Sequence, residues 1–237
     1  MKNMDIKQIK RSMCIDYLRL TASGEGSAWI LALLPLAFTL IAFVVDNEAV
    51  MAGAAGAVIA MCAVYAAFFV MMVFNNEETT GNIMMNGIVP ASRFNQVSAR
   101  FALGLATDVI TAVEGVLCLF VLFHHDEPSV SSFIGLGLGV FGVALFLGSV
   151  VIPIFYKFSV TKAMGWSFAI LGLLFFAIIF LIEKFISSDM CTSMLQWMMT
   201  AKLGVVPWAA LIAVLVSVVA CVCSFLISVH IYQRKEL

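Results

Sequence analysis

The chain has 237 residues, 63% of them apolar and only 11% charged, with a formal net charge of −1. Soluble globular domains carry about a quarter charged residues and disordered chains far less apolar mass, so neither class fits. No basic field marks a nucleic-acid partner. Five of the six cysteines lie in apolar or inward-looking segments, which leaves Cys191 with nothing to bridge and excludes a disulfide-built secreted domain. Together with a mean hydropathy of +1.08, this leaves an all-α polytopic membrane protein with one membrane domain.

The first element falls in residues 1–27. Ile6, Ile9, Met13, Tyr17 and Leu20 recur at three- and four-residue steps, and Lys7, Lys10, Arg11 and Arg19 fill much of the remainder. This pattern predicts an amphipathic helix lying along the inner membrane surface, as an anchor or as a brace for a partner. The apolar run begins only after this charged stretch and has no small-residue cleavage site, unlike a secretory signal.

Residues 28–237 read as the transmembrane domain. A span needs about 20 apolar residues, and six segments qualify: 28–45, which Pro35 should bend, then 49–74, 101–123, 130–153, 163–182 and 205–229. Small residues recur at close-packing steps in three of them. These are Ala52, Gly56 and Ala60 in the second span, Gly135, Gly139 and Gly142 in the fourth, and Ser217, Cys221, Ser224 and Ser228 in the sixth. Such stripes let helices approach closely, here expected inside one chain, with a subunit contact as the other use. An even number of spans puts both termini on one side. Eleven of the thirteen Lys and Arg fall on that side, against Lys184 and Lys202 on the other. By the positive-inside rule both termini are cytoplasmic, and the expected setting is a bacterial plasma membrane.

Only the third span carries internal charge. Thr107, Asp108, Thr111 and Glu114, with Gly115, share one arc of a helix, and no Lys or Arg lies inside any span. A mid-membrane acid is costly in lipid, so these side chains form either a hydrogen-bonded helix contact or a translocation-path or proton site. Further on, residues 183–204 are too polar to cross. They hold Met190, Met194, Leu195, Trp197, Met198 and Met199, with Ser193 and Gln196 in a capping-box pattern. A short helix at the outer surface is expected, with Trp197 and Trp208 at headgroup depth.

The connection 75–100 is the most informative stretch. It reads Asn75-Asn76-Glu77-Glu78-Thr79-Thr80-Gly81-Asn82-Ile83-Met84-Met85-Asn86-Gly87-Ile88-Val89-Pro90-Ala91-Ser92-Arg93. Thr79 or Thr80 is placed to cap a short helix that Pro90 ends. Ile83, Met84 and Ile88 would give it an apolar edge of the kind that meets a partner or the bilayer. The order of Glu78, Gly81, Pro90, Ser92 and Arg93 resembles the permeases of type-2 ABC exporters, in which a Glu, a Gly, a short apolar helix and a Pro followed by Ser and Arg come after the second span. The family often has a basic residue after the Glu and a Thr after the Gly, where this chain has Thr79 and Asn82.

The resemblance implies that this segment is a coupling helix seated on a separate ATP-hydrolysing subunit, with Glu77, Glu78, Gly81, Ile83, Met84, Ile88, Pro90, Ser92 and Arg93 as its working residues. It implies two ATPase copies and a second permease, identical or homologous, and an outer segment that closes the pathway. The chain has no Gly-Lys pair and hence no phosphate-binding loop, so it is not expected to hydrolyse ATP. No cofactor is expected. Glu77-Glu78 is similar to the Glu-Glu-x-x-x-Arg of some membrane proteases, but Asn82 stands in the Arg place. His124, His125 and His230 do not converge as metal ligands would. Apolar walls and Met-rich outer segments suit amphipathic peptides or lipophilic compounds as cargo. Two other functions fit the composition: an ion- or proton-coupled carrier using Asp108 and Glu114, and a non-transporting immunity or sensor subunit.

Overall fold

A computed structural model describes residues 5–22, 27–45, 48–79, 91–122, 130–185 and 205–234. These residues form seven helices: α1 (Ile6–Ala22), α2 (Ser27–Val45), α3 (Glu48–Thr79), α4 (Arg93–Leu122), α5 (Val130–Lys157), α6 (Val160–Phe185) and α7 (Val205–Arg234). The protein is an all-α polytopic membrane protein. Four helices meet the length and hydropathy of a span over their described residues, as Gly53–Glu78, Arg93–Leu122, Phe133–Lys157 and Ala210–Arg234. At 25 to 30 residues each they run roughly 37–45 Å, longer than the ~30 Å hydrocarbon layer. In α2 the apolar stretch is Ala32–Val45.

Excess length corrects the sequence reading at one end of the bundle. Helix α3 continues through Glu77 and Glu78 to Thr79, so both acids lie on a helix; the short helix expected after it lies outside the described residues. Helix α4 begins at Arg93, well before the apolar run. Its start is fixed by Ser92, whose Oγ accepts a hydrogen bond from Asn95 N at 3.3 Å, an N-cap contact. Helix α5 passes through Pro153 to Lys157. Proline removes one backbone donor, yet Phe155 and Tyr156 beyond it pack on Phe74, with ring centroids 5.4 and 5.0 Å away. That burial holds the last turn in helical form. In α2, Thr39 Oγ1 donates to the carbonyl of Pro35 at 2.8 Å.

Apolar side chains group into layers along the bundle. Val58, Cys62, Cys118 and Val140 pack in one cluster, and Ala42, Ala54, Ala55, Leu119 and Leu122 in another. The largest cluster joins Ala67, Val70, Met71 and Phe74 of α3 to Val97, Val151, Ile152, Phe155, Tyr156, Val160, Ala163 and Tyr232. Small residues set the approach of α3 to α4. A Cβ on Gly104 would stand 3.3 Å from Val70 Cγ2, and one on Gly115 would stand 3.3 Å from Cys62 Sγ.

The three small-residue stripes diverge. Ser217, Ser224 and Ser228 are buried, and α7 packs most extensively on α5. There a Cβ on Gly142 would meet Val214 Cγ2 at 3.3 Å. Gly142 of the α5 stripe thus packs closely on α7, as an intrachain contact requires. On α3, by contrast, Gly56 and Ala60 are exposed, with open space around the glycine. The sequence expectation of an intrachain contact fails for that stripe, because α4 and α5 pack on the opposite face, through Val58 and Cys62.

Helix α1 lies against the bundle through Ile9, Ser12, Asp16 and Leu20, all buried. The apolar stripe read from the sequence therefore splits. Ile9 and Leu20 pack inward, while Ile6 is 77% exposed and Tyr17 44% exposed. Buried Ser12 and Asp16 replace part of the expected apolar face, and Asp16 there meets the Arg100 guanidinium.

Two glycines of α5 give contrasting expectations. A Cβ on Gly137 would stand 2.7 Å from Val116 Cγ2, whereas one on Gly139 meets nothing within 4 Å. Gly137→Ala should destabilise the protein by about 1–3 kcal/mol through overpacking. Gly139→Ala should be neutral or stabilise by up to about 1 kcal/mol through helix propensity. Heat-challenge survival of the detergent-solubilised protein, followed by size-exclusion fluorescence, ranks the two. Equal midpoints would mean that α4 and α5 are not in close contact at Gly137.

Candidate functional site

The ends of α3, α4, α5 and α7 and the start of α6 meet beneath α1 in one polar cluster. At its centre is Arg100, 6% exposed and the one Lys or Arg in the buried set among the described residues. Its Nη2 donates to Glu77 Oε2 in a close charge-assisted hydrogen bond. Its Nε stands 3.5 Å from Asp16 Oδ2 of α1, a charge contact without hydrogen-bond geometry. The guanidinium also lies over the rings of Phe74 at 4.4 Å and Tyr156 at 5.5 Å, where the negative faces of the rings attract it. A buried charge is tolerated only when paired, and Arg100 meets both an acid and two aromatic faces.

Around this centre, polar side chains satisfy helix ends. Glu78 Oε2 accepts from Val160 N at the start of α6, so a side chain of α3 satisfies one of the unpaired donors of that helix end. Arg93 Nη1 donates to the carbonyls of Tyr232 and Gln233, at 3.0 and 3.1 Å, and caps the end of α7 with positive charge. Tyr232 OH donates to Gln96 Oε1 at 2.7 Å, and Gln96 Nε2 donates to the Ala91 carbonyl at 3.1 Å. Gln8 of α1 accepts from Asn95 Nδ2 at 2.8 Å and from Ser92 N at 3.2 Å. The start of α1 and the end of α7 thus lie at the same end of the bundle.

Of the sequence-derived coupling residues, Glu77, Glu78, Ser92 and Arg93 lie in this cluster. Gly81, Ile83, Met84, Ile88 and Pro90 lie outside the described residues, as does the outer segment from residue 186 to 204. Glu78 and Arg93 bond the neighbouring ends of α6 and α7. Sequence reading missed Arg100, Asp16, Gln96, Tyr156 and Tyr232. Arg100 was counted only as one more basic residue. The available signal was the position of Arg100 at the edge of an apolar run, facing a Glu pair across one connection.

The second candidate group is less convergent. Thr107, Asp108 and Thr111 are buried, and Glu114 is half-buried with its Oε1 unpartnered. The threonines turn back on their own helix. Thr107 Oγ1 donates to the Leu103 carbonyl at 2.9 Å and Thr111 Oγ1 to the Asp108 carbonyl at 3.1 Å. They do not serve the acids as partners. Asp108 faces Val70, Leu145, Ser149, Ile152 and Cys221 across a void of about 10 Å³, room for about one water. Glu114 lies within electrostatic reach of Cys62, Tyr65 and Cys118. The two acids therefore look toward different neighbours, and neither has an ion-pair partner among the described residues.

This arrangement contains no reacting pair, but it locks four helices, α1, α5, α6 and α7, around the two that flank residues 80–90. A family model described as ABC-2 family transporter protein matches residues 23–233. The chain belongs to the ABC-2 transporter family. It is accordingly a membrane transport component, an ABC transporter permease subunit, and its family associates with an ABC ATPase. A search of curated proteins finds no match. The ABC-2 match covers all six apolar helices and the whole stretch that resembled a coupling segment.

Removing one partner from a buried ion pair leaves the other charge stranded. Glu77→Ala in this permease should therefore cost about 3–5 kcal/mol, while Glu78→Ala, which removes only a helix cap, should cost about 1 kcal/mol. Thermal midpoints of the two purified variants in nanodiscs rank them. The order would reverse if the Arg100–Glu77 pair were not the centre of the cluster.

Proposed function

We propose that this chain is the membrane-spanning subunit of an ATP-driven exporter, which forms its pathway with a second permease and is driven by two separate ATPase subunits. The family match over residues 23–233 carries the reading. Six apolar helices make half of a twelve-span transporter. A void of about 10 Å³ beside Asp108 is far below the several hundred Å³ of a ligand site. On this reading the pathway runs between two chains, with Thr107, Asp108, Thr111 and Glu114 as its polar contribution. The second permease is an identical or a homologous chain, and the cargo is an amphipathic peptide or lipophilic compound.

Energy enters through residues 75–100. Ile83, Met84 and Ile88 supply apolar contact to the ATPase, worth about 1.5–3 kcal/mol per fully buried side chain. Gly81 and Pro90 shape the ends of that contact. Glu77, Glu78, Ser92 and Arg93 anchor its two flanking helices to the bundle, so that displacement of the segment moves packed helices rather than a slack loop. Both termini face the cytoplasm on this reading, because the Lys and Arg gather at that end.

Two experiments test it. Replacing Ile83 and Ile88 together by Asp should detach the ATPase or abolish its permease-dependent ATP hydrolysis, with the membrane domain still folded. Co-purification and hydrolysis at wild-type levels would remove the coupling assignment. For orientation, a cysteine replacing the exposed Arg234 should stay unlabelled by an impermeant maleimide in intact cells and react after permeabilisation. Labelling in intact cells would invert the topology.

A further inference from the structure

The buried face of α7 carries more hydroxyl than its packing uses. Ser217, Cys221, Ser224, Ser228 and Tyr232 recur at three- and four-residue steps and so stand on one side of the helix. Val222, Cys223, Leu226 and Ile227 between them are exposed. The buried side lies on α5. A Cβ on Gly142 would stand 3.3 Å from Val214 Cγ2, and further along the Tyr156 and Tyr232 rings are 5.2 Å apart. Ser217 Oγ donates to the Ala213 carbonyl at 2.8 Å. The hydroxyls of Ser224, Ser228 and Tyr156 have no hydrogen-bond partner among the described residues, although these residues are only 4%, 0% and 2% exposed. A buried hydroxyl left unpaired is costly, and bound water is the usual remedy.

This file of hydroxyls begins at a buried acid. The void of about 10 Å³ beside Asp108 is lined also by Ser149 of α5 and Cys221 of α7. Ser149 Oγ donates its proton to the Phe146 carbonyl at 2.7 Å and keeps lone pairs to accept another. A carboxyl, a hydroxyl and a thiol together give a water the several polar partners it needs. From Cys221, Ser224 and Ser228 follow at successive turns, where side chains stand about 5–6 Å apart. One water spans such a gap with two hydrogen bonds of about 2.8 Å each. Tyr156 closes the file against Phe74 and the Arg100 guanidinium, and the next residue, Lys157, is exposed. We propose that Asp108 is a proton-binding site, and that water along Ser224, Ser228 and Tyr156 carries its proton to and from the Arg100 end of the bundle. Each water or hydroxyl accepts one proton and donates its own to the next, so nothing else is consumed. Cys221 is the other titratable group lining the void, and no Lys or Arg lines it, so the charge partner on offer to the carboxylate there is a proton. This goes beyond the exporter reading and rests on α4, α5 and α7 alone, not on an ATPase.

The test is infrared spectroscopy of the full-length chain in nanodiscs during transfer to heavy water. A protonated Asp108 gives a carboxylic C=O band, identified by its loss in Asp108→Asn, and the band shifts when deuterium replaces the proton. In the wild-type chain the shift should follow transfer promptly. Ser224→Ala combined with Ser228→Ala should slow it by about tenfold, the effect on a rate of one lost hydrogen bond of ordinary strength. Alanine is smaller than serine and a better helix former, so this variant folds. Ser217→Ala should leave the rate unchanged, because that hydroxyl is bonded within α7 and lies on the far side of Cys221 from Ser224. If Ser224 and Ser228 were dry, alanine would remove two unpaired groups. The thermal midpoint would then rise with exchange unchanged, and the proposal would be overturned. It would equally be overturned by the lack of an Asp108 band at every pH at which the chain stays folded, by a wild-type band that does not shift, or by equal slowing in Ser217→Ala.

Discussion

The constraint on which the rest of this structure depends is that one arginine of α4 is buried where α1, α3 and α5 meet it. A guanidinium without water must be compensated on several sides. Arg100 draws Glu77 from α3, faces Asp16 on α1 and takes the faces of Phe74 and Tyr156. Each partner brings its helix with it. The continuation of α3 past its apolar run, the early start of α4 and the passage of α5 through Pro153 all place a side chain at this point. The polar end is thereby the most specified part of the bundle. Polar pairs fix the relative position of helix ends in a way that interchangeable apolar side chains do not.

Around that centre the helix ends satisfy one another. Glu78 caps α6, Arg93 caps α7, Ser92 caps α4 and Gln8 links α1 to the start of α4. Helix termini leave unpaired backbone groups, and here side chains from neighbouring helices meet several of them. The consequence for function is mechanical. A force applied between α3 and α4 meets bonded helix ends rather than fraying ones. The acids of α4 contrast with this. Asp108 and Glu114 face separate neighbours, and the void beside Asp108 is about one water in size.

Hydropathy located each apolar helix among the described residues, because lipid demands about 20 apolar residues per crossing whatever the neighbours are. It placed several ends too early or too late for one reason. A window tuned to the hydrocarbon thickness cannot register a helix that continues through polar residues. Glu77 and Glu78 looked like loop because they are acids. They are helical because Arg100 and the α6 backbone receive them. Ser12 and Asp16 likewise broke the expected apolar face of α1, because the bundle presents charge rather than lipid at that position.

The sequence by itself determined the class, the family resemblance and the segment 75–100 as the place to look. Composition, charge asymmetry and motif spacing are one-dimensional properties, and each follows from what the bilayer or a partner requires of a single stretch of chain. Only the tertiary structure decided which of two adjacent acids pairs with Arg100 and which caps α6. It alone decided that Gly142 packs on α7 while Gly56 and Ala60 face outward, and that Arg93 serves α7. Those outcomes join residues more than twenty and up to about 140 positions apart. They depend on how each helix is rotated in the bundle, and that rotation follows from the fit of all the helices at once.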